Sequence, residues 1–84
     1  MFYMYILKSQ SDGNLYYGYT NNLRRRLKEH NDGKNRSTKA RTPFELRYYE
    51  SFFNENDAKE REWSLKNNGR TLAQLKRRIK KSLQ

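Results

Sequence analysis

The chain has 84 residues, a formal net charge of +10 at pH 7 and no cysteine. This length predicts one small domain over residues 1–84, and the lack of cysteine excludes disulfides and thiolate zinc sites. The excess of Lys and Arg predicts a polyanionic partner, with nucleic acid ranked first and an anionic membrane surface second.

The amino-terminal segment carries no signal for secretion. The apolar opening MFYMYIL is short and has no basic region before it, whereas signal peptides need both features. No stretch approaches the length of a transmembrane helix. We therefore expect a cytoplasmic protein that does not insert into a membrane.

The first half of the chain is predicted to form a β-hairpin and then a helix. Residues 2–9 and 13–20 are rich in strand-forming residues, and an Asp-Gly pair between them is a hairpin turn signal. Asn21 or Asn22 caps the start of the helix, and Gly33 ends it in a left-handed conformation.

The second half begins with a polar, basic loop over residues 34–42 that has no apolar anchor. Residues 43–53 predict a third strand, entered at a proline. A second helix follows from about residue 54 to residue 68, and Gly69 stops it.

A basic third helix is predicted over about residues 71–83. Thr71 and Gln74 have the spacing of a capping box at its start. Its apolar residues recur at the helical period: Leu72, Leu75, Ile79 and Leu83. The predicted order is therefore β-β-α-β-α-α, an α+β fold with a three-stranded antiparallel sheet flanked by helices.

The first helix places ionisable residues where a core face is expected. Its inner-face positions, read with helical spacing, are Leu23, Arg26, Leu27 and His30. Arg26 and His30 lie one turn apart on the same side. A cation on the protein-facing side is costly unless it is paired or lines a cleft.

The second helix repeats this pattern. Its inner-face positions are Ala58, Arg61, Glu62 and Leu65. One interpretation is a structural ion pair between Arg26 and Glu62, with His30 as a satisfied neighbour. The other is a polar cleft for phosphodiester chemistry, in which arginine binds a phosphate, a carboxylate holds Mg²⁺, and tyrosine or histidine moves protons.

A sequence motif supports the cleft. The tripeptides Tyr3-Met4-Tyr5 and Tyr16-Tyr17-Gly18, separated by ten residues, resemble the paired signature of GIY-YIG nucleases. The resemblance extends to about Lys66, through these further matching residues: Leu23, Arg26, His30, Ala58, Glu62 and Lys66. Two departures stand out: the first tripeptide lacks glycine and isoleucine, and Tyr19 occupies a position where many members carry lysine.

The resemblance implies a metal-dependent endonuclease that hydrolyses DNA by a one-metal mechanism. One of Tyr5 and Tyr16 would activate water, and Arg26 would neutralise charge on the phosphate. Glu62 would be the single protein ligand of Mg²⁺ or Mn²⁺. His30 would orient a tyrosine or relay a proton. The alternative is a nucleic-acid-binding module on the same fold that does not cut, or cuts only with a partner.

Basic residues outside the cleft predict contact with the nucleic-acid backbone. They lie on the first and third helices: Arg24, Arg25, Lys76, Arg77, Lys80 and Lys81. The alternative for the third helix is an ordinary solvated face. The expected partner is DNA, structured or branched DNA included, with a protein that targets the domain as a further candidate.

Overall fold

A three-stranded antiparallel sheet organises the chain in the computed structural model, which describes residues 1–84. The strands are β1 (Phe2–Ser9), β2 (Leu15–Thr20) and β3 (Phe44–Phe52), and the helices are α1 (Leu23–Asn31), α2 (Glu55–Asn67) and α3 (Gly69–Arg78). Two short 3₁₀ turns add Lys39–Arg41 and Lys80–Leu83. The α+β class and the order β-β-α-β-α-α are confirmed.

Strand β1 lies at the centre of the sheet, between β2 and β3. It is rich in aromatic and branched side chains, which suit a strand buried on both faces. Side chains alternate along it, so Met4 and Ile6 point to one face, while Tyr5 and Leu7 point to the other. Tyr5 lies opposite Gly18 in β2 and Tyr49 in β3.

The two faces of the sheet carry separate cores. On one face, Met4 and Ile6 are fully buried against Leu65 of α2 and Leu75 of α3. The predicted apolar stripe of the third helix packs onto this cluster through Leu72, Ile79 and Leu83. Burial of this stripe against the sheet stabilises a helix that is otherwise strongly charged.

The opposite face is covered by α1. There Tyr5, Leu7 and Phe44 form a second buried cluster. Leu23 and Leu27 of α1 pack against it, as does Tyr16 of β2. The hairpin therefore delivers both signature tyrosines, Tyr5 and Tyr16, to the face that α1 covers.

Helix α1 begins and ends at the predicted residues. The Asn22 side chain caps it by accepting a hydrogen bond of 3.0 Å from the Arg25 N–H, which satisfies one of the free amides of the first turn. Gly33 follows the helix with a φ of +73°, a left-handed conformation that glycine adopts without strain.

The predicted start of α3 is wrong. Asn68, not Thr71, caps this helix by accepting hydrogen bonds from the N–H groups of Arg70 and Thr71. Gly69 is the first residue of α3 and does not separate two helices. The α-helix ends at Arg78, so the expected carboxy-terminal part is a 3₁₀ turn. None of the helices combines the length and apolarity needed to cross a membrane.

Candidate active site

Tyr5, His30 and Thr38 form a buried chain of hydrogen bonds on the α1 side of the sheet. The Tyr5 hydroxyl lies 3.0 Å from His30 Nε2, and His30 Nδ1 lies 2.9 Å from Thr38 Oγ1. His30 and Thr38 are 0% exposed and Tyr5 is 2% exposed. Thr38 belongs to the loop that the sequence predicted to lack an anchor, and no local pattern marks it as buried.

Tyr16 completes the aromatic wall around His30. Its ring centroid lies 5.0 Å from the His30 ring and 6.5 Å from the Tyr5 ring. The Tyr16 hydroxyl has no hydrogen-bond partner in the protein, and Tyr16 is only half-buried. Because every buried side-chain polar atom in the structure has a hydrogen-bond partner, this hydroxyl is not among the buried ones. The Tyr16 hydroxyl is therefore free to contact water or a substrate.

Gly18 makes room for the Tyr5 ring. A Cβ atom placed at residue 18 would lie 2.6 Å from Tyr5 Cζ and would overlap the Tyr5 hydroxyl. Any side chain there would displace the phenol. The second signature glycine thus fixes where the Tyr5 hydroxyl can lie.

Arg26 and Glu62 do not form the ion pair that one interpretation of the sequence predicted. Arg26 is paired with Glu29, at 3.1 Å, and Glu62 with Lys66, at 3.2 Å. Each charge thus finds a partner one turn away on its own helix. The Arg26 guanidinium also acts on Tyr5, whose pKa it lowers against the larger, opposite effect of burial.

A surface depression of about 400 Å³ gives access to Arg26. Tyr19, Arg25 and Glu29 are among the residues that line it together with Arg26. The side chain of Arg26 is 31% exposed. The Arg26 side chain is therefore accessible from solvent at this depression, which the carboxylates of Glu29 and Glu55 also line.

Helix α2 supplies two lysines to the hairpin tyrosines. The Lys66 ammonium lies 5.6 Å from the centroid of the Tyr16 ring, and the Lys59 ammonium lies 5.7 Å from that of Tyr19. Sequence reasoning missed both contacts, which depend on how α2 packs against β2. Positive charge therefore reaches the tyrosines from α2, although no lysine follows Gly18.

A family model of the GIY-YIG catalytic domain matches residues 1–77. This chain belongs to the GIY-YIG family. It is 48% identical over 65 residues to UPF0213 proteins of Bacillus licheniformis and Bacillus pumilus, and the match covers 76% of this chain. It spans 66% and 65% of those proteins, slightly less than two thirds of their length.

A solved GIY-YIG relative supports the fold. The solution NMR structure of a UPF0213 protein from Bacillus halodurans is 37% identical, with a TM-score of 0.54. The similarity covers 89% of this chain and 82% of that one. GIY-YIG domains are a nuclease family, so nuclease-type function is supported.

Burial sets the protonation of the central pair in this GIY-YIG domain. Burial raises the pKa of Tyr5, although the neighbouring Arg26 guanidinium lowers it, and the charges of Tyr16 and Glu62 raise it further. Burial, followed by the charge of Arg26, lowers the pKa of His30 to about 4. Tyr5 is therefore a phenol and His30 a neutral imidazole at pH 7.

The low pKa of His30 predicts a loss of stability in mild acid. The pKa is about 4 in the folded chain, against 6.5 ordinarily, so the unfolded state binds more protons between these values. The free energy of unfolding is thus retained above about pH 6.5 and falls toward pH 4, by roughly 3 kcal/mol in total. Urea denaturation at pH 7, 6 and 5 measures this slope.

His30 is the only histidine, so its NMR titration checks the assignment directly. The imidazole should stay neutral down to about pH 5. The variant His30→Gln should lose the stability slope between pH 6.5 and 5. Protonation of His30 near pH 6.5 in the folded wild type would contradict the prediction.

The residues around Glu62 suit one metal ion with a single protein ligand. The structure contains no cluster of three or more His, Cys, Asp or Glu residues, which a site built only from protein ligands requires. The Glu62 side chain is 18% exposed, so its carboxylate reaches solvent. Mg²⁺ accepts such sites because water and phosphate oxygens fill its other positions.

The predicted nucleic-acid-binding residues divide between two surfaces of the GIY-YIG domain. Arg24 and Arg25 are exposed on α1, on the same side of the sheet as the cleft. The others are exposed on α3 and the turn after it, against the opposite face: Lys76, Arg77, Lys80 and Lys81. We call these the α1 surface and the α3 surface.

Proposed function

We propose that this GIY-YIG protein is a metal-dependent endonuclease that hydrolyses DNA phosphodiester bonds through a one-metal mechanism. One observation carries the proposal: Tyr16 with a free hydroxyl packs against His30 and Tyr5 on the face of the sheet that α1 covers, and α1 also carries the partly exposed Arg26. Glu62 lies on α2. Together these residues cover water activation, neutralisation of phosphate charge and metal binding.

Tyr16 is the tyrosine we assign to water activation. The Tyr5 hydroxyl is buried and engaged with His30, so it is poorly placed to take a proton from water. Tyr16 is half-buried and its hydroxyl is free, while the Lys66 ammonium lies 5.6 Å from its ring.

Arg26 is assigned to the scissile phosphate. A guanidinium carries five N–H donors, and Arg26 NH1 donates to Glu29, which leaves others for the ligand. The open depression beside Arg26 leaves part of its side chain exposed to solvent, where a phosphate group would bind. Two parallel hydrogen bonds to its oxygens would bind it and stabilise charge in the transition state.

Glu62 is the residue we assign to hold Mg²⁺ or Mn²⁺. A divalent ion bound there supplies Lewis-acid stabilisation of the leaving oxygen. The Lys66 ammonium, 3.2 Å from Glu62 Oε1, occupies one side of this carboxylate. Lys66 is free to turn toward the phosphate or Tyr16 when the carboxylate takes another cation.

Cleavage of a labelled mixture of duplex, flap and branched DNA tests the proposal. It is run with Mg²⁺, with Mn²⁺ and with EDTA. We expect cleavage of DNA with either metal and no cleavage with EDTA, and the substrate that is cut fastest then identifies the preferred DNA structure. Failure of the folded protein to cut any substrate with either metal would overturn the autonomous nuclease.

The second candidate is a nucleic-acid-binding module that depends on a partner for cutting. The net charge of +10 supports it, because neutralising phosphates is sufficient for binding. The side chains of Phe53 and Trp63 are 90% and 64% exposed. Exposed aromatic side chains of this kind are suited to contact with a protein that targets the domain.

The salt dependence of DNA affinity shows whether the α3 surface contacts DNA or is only an exposed, solvated face. If about five phosphates are neutralised, log affinity falls with log salt at a slope near −4 to −5. A variant with Lys76, Arg77, Lys80 and Lys81 changed to Gln should flatten this slope by about 3 to 4. Fluorescence anisotropy with EDTA measures it without cleavage.

The double variant Arg24→Gln/Arg25→Gln is the matched comparison for the α1 surface. If the α3 surface neutralises four of about five phosphates, the α1 variant should flatten the slope by only about 1. An unchanged slope in the α3 variant would make that surface an ordinary solvated face.

A further inference from the structure

We propose that Thr38 sets the tautomer of His30 and thereby makes the Tyr5 hydroxyl the donor in its hydrogen bond to His30. Thr38 is then a positioning residue that acts on the cleft through His30 and Tyr5. Its effect on catalysis rests on the proposed nuclease function, but the tautomer itself does not.

The first argument comes from the loop that carries Thr38. Thr38 Oγ1 lies 3.4 Å from the backbone oxygen of Asn35, and a carbonyl oxygen can only accept. This contact offers the single hydroxyl hydrogen of Thr38 an acceptor other than His30. The Thr38 oxygen then accepts from His30 Nδ1, at 2.9 Å, with the imidazole proton on Nδ1.

The second step follows from the chemistry of imidazole. A neutral histidine has one N–H donor and one bare nitrogen. With the proton on Nδ1, Nε2 is an acceptor. The Tyr5 hydroxyl, 3.0 Å away, therefore donates to His30.

A further argument comes from the other end of the chain. The Tyr5 hydroxyl has one hydrogen-bond partner in the structure, His30 Nε2. Tyr5 is 2% exposed, so solvent does not provide another acceptor for its hydrogen. The opposite tautomer would aim a His30 donor at the Tyr5 oxygen and leave the Tyr5 hydrogen without an acceptor.

The loop that carries Thr38 is anchored at its far end. The Ser9 hydroxyl donates to the backbone oxygen of Arg41 at 2.6 Å, and the Arg41 side chain is paired with Asp12 at 2.7 Å. These contacts join the loop to β1 and to the hairpin turn. Thr38 thus reaches His30 from a segment fixed independently of the cleft.

NMR of the ¹⁵N-labelled, metal-free protein measures the tautomer directly. Long-range ¹H–¹⁵N correlations of the single histidine distinguish a protonated from a bare ring nitrogen. We expect the proton on Nδ1 in wild type and in Thr38→Ser, and a shift toward Nε2 in Thr38→Val. A wild-type proton on Nε2, or no change in Thr38→Val, would overturn the proposal.

Kinetics on a cleavable DNA substrate form the second arm. Thr38→Val should lower kcat by about 10- to 100-fold with unchanged DNA affinity, a range typical of residues that orient a site residue. Thr38→Ser should restore kcat. The control Thr42→Val removes a hydroxyl of the same loop that contacts the Lys39 backbone oxygen and should cleave like wild type.

The two arms separate the two proposals. If Thr38→Ser and Thr38→Val lose kcat equally, the Thr38 hydroxyl does not position the site. The same conclusion follows if Thr38→Val weakens DNA binding and leaves kcat unchanged. If wild type cuts no DNA, the proposed function fails. The NMR result then still decides whether Thr38 sets the tautomer.

Discussion

Changing Glu62 to Gln is expected to abolish metal-dependent cleavage while the fold is kept. Glutamine preserves the shape of the side chain but removes the charge that a hard cation requires. Because metal stabilisation of the leaving oxygen contributes several kcal/mol, we expect a loss of at least about 10³-fold in kcat. Single-turnover cleavage with Mg²⁺ and Mn²⁺ measures it.

The matched control is Glu60→Gln, which removes a carboxylate from the exposed face of the same helix. It should cleave like wild type. Mn²⁺ binding, followed by electron paramagnetic resonance, should weaken in Glu62→Gln and not in Glu60→Gln. Substantial cleavage by a folded Glu62→Gln protein would show that Glu62 is not the metal ligand.

Changing Gly18 to Ala is expected to damage both stability and activity. The added Cβ would lie 2.6 Å from Tyr5 Cζ, and Tyr5 is buried in the central strand, so the ring has little room to move. Overpacking of this kind costs about 1–3 kcal/mol. The displaced hydroxyl would also lose its hydrogen bond to His30. Urea denaturation and cleavage assays measure the two effects.

Gly69→Ala is the control for this substitution. A Cβ at residue 69 meets no atom within 4 Å, and residue 69 begins α3, where alanine favours the helix. We expect unchanged or slightly higher stability and normal cleavage. If Gly18→Ala behaved in the same way, Gly18 would not be needed to place the Tyr5 ring.

Local patterns in the sequence were sufficient for the secondary structure and for much of the candidate site. Helical spacing alone put Arg26 and His30 on the inner face of α1, because residues four apart share a side of the helix. Turn and cap residues such as Asn22 and Gly33 act within a few residues of themselves. The start of α3 was wrong because Asn68 and Thr71 are both good caps, and only the folded chain selects between them.

The charge contacts have both local and tertiary causes. One interpretation of the sequence paired Arg26 with Glu62, but Arg26 is paired with Glu29, three residues along the same helix, as helical spacing allows. The contact of Lys66 with Tyr16 depends on the packing of α2 beside the edge strand β2. No spacing in the sequence encodes that contact, since it joins segments far apart in the chain.

The sequence by itself determined the α+β fold, the signature that marks the family, and the residue types available for phosphodiester chemistry. These depend on local spacing and on chemical identity. The tertiary structure decided that Thr38 closes the hydrogen-bond chain through His30 to Tyr5, and that Tyr16 keeps a free hydroxyl. Burial and hydrogen-bond direction depend on every segment that surrounds a side chain, and so they emerge only when the chain is folded.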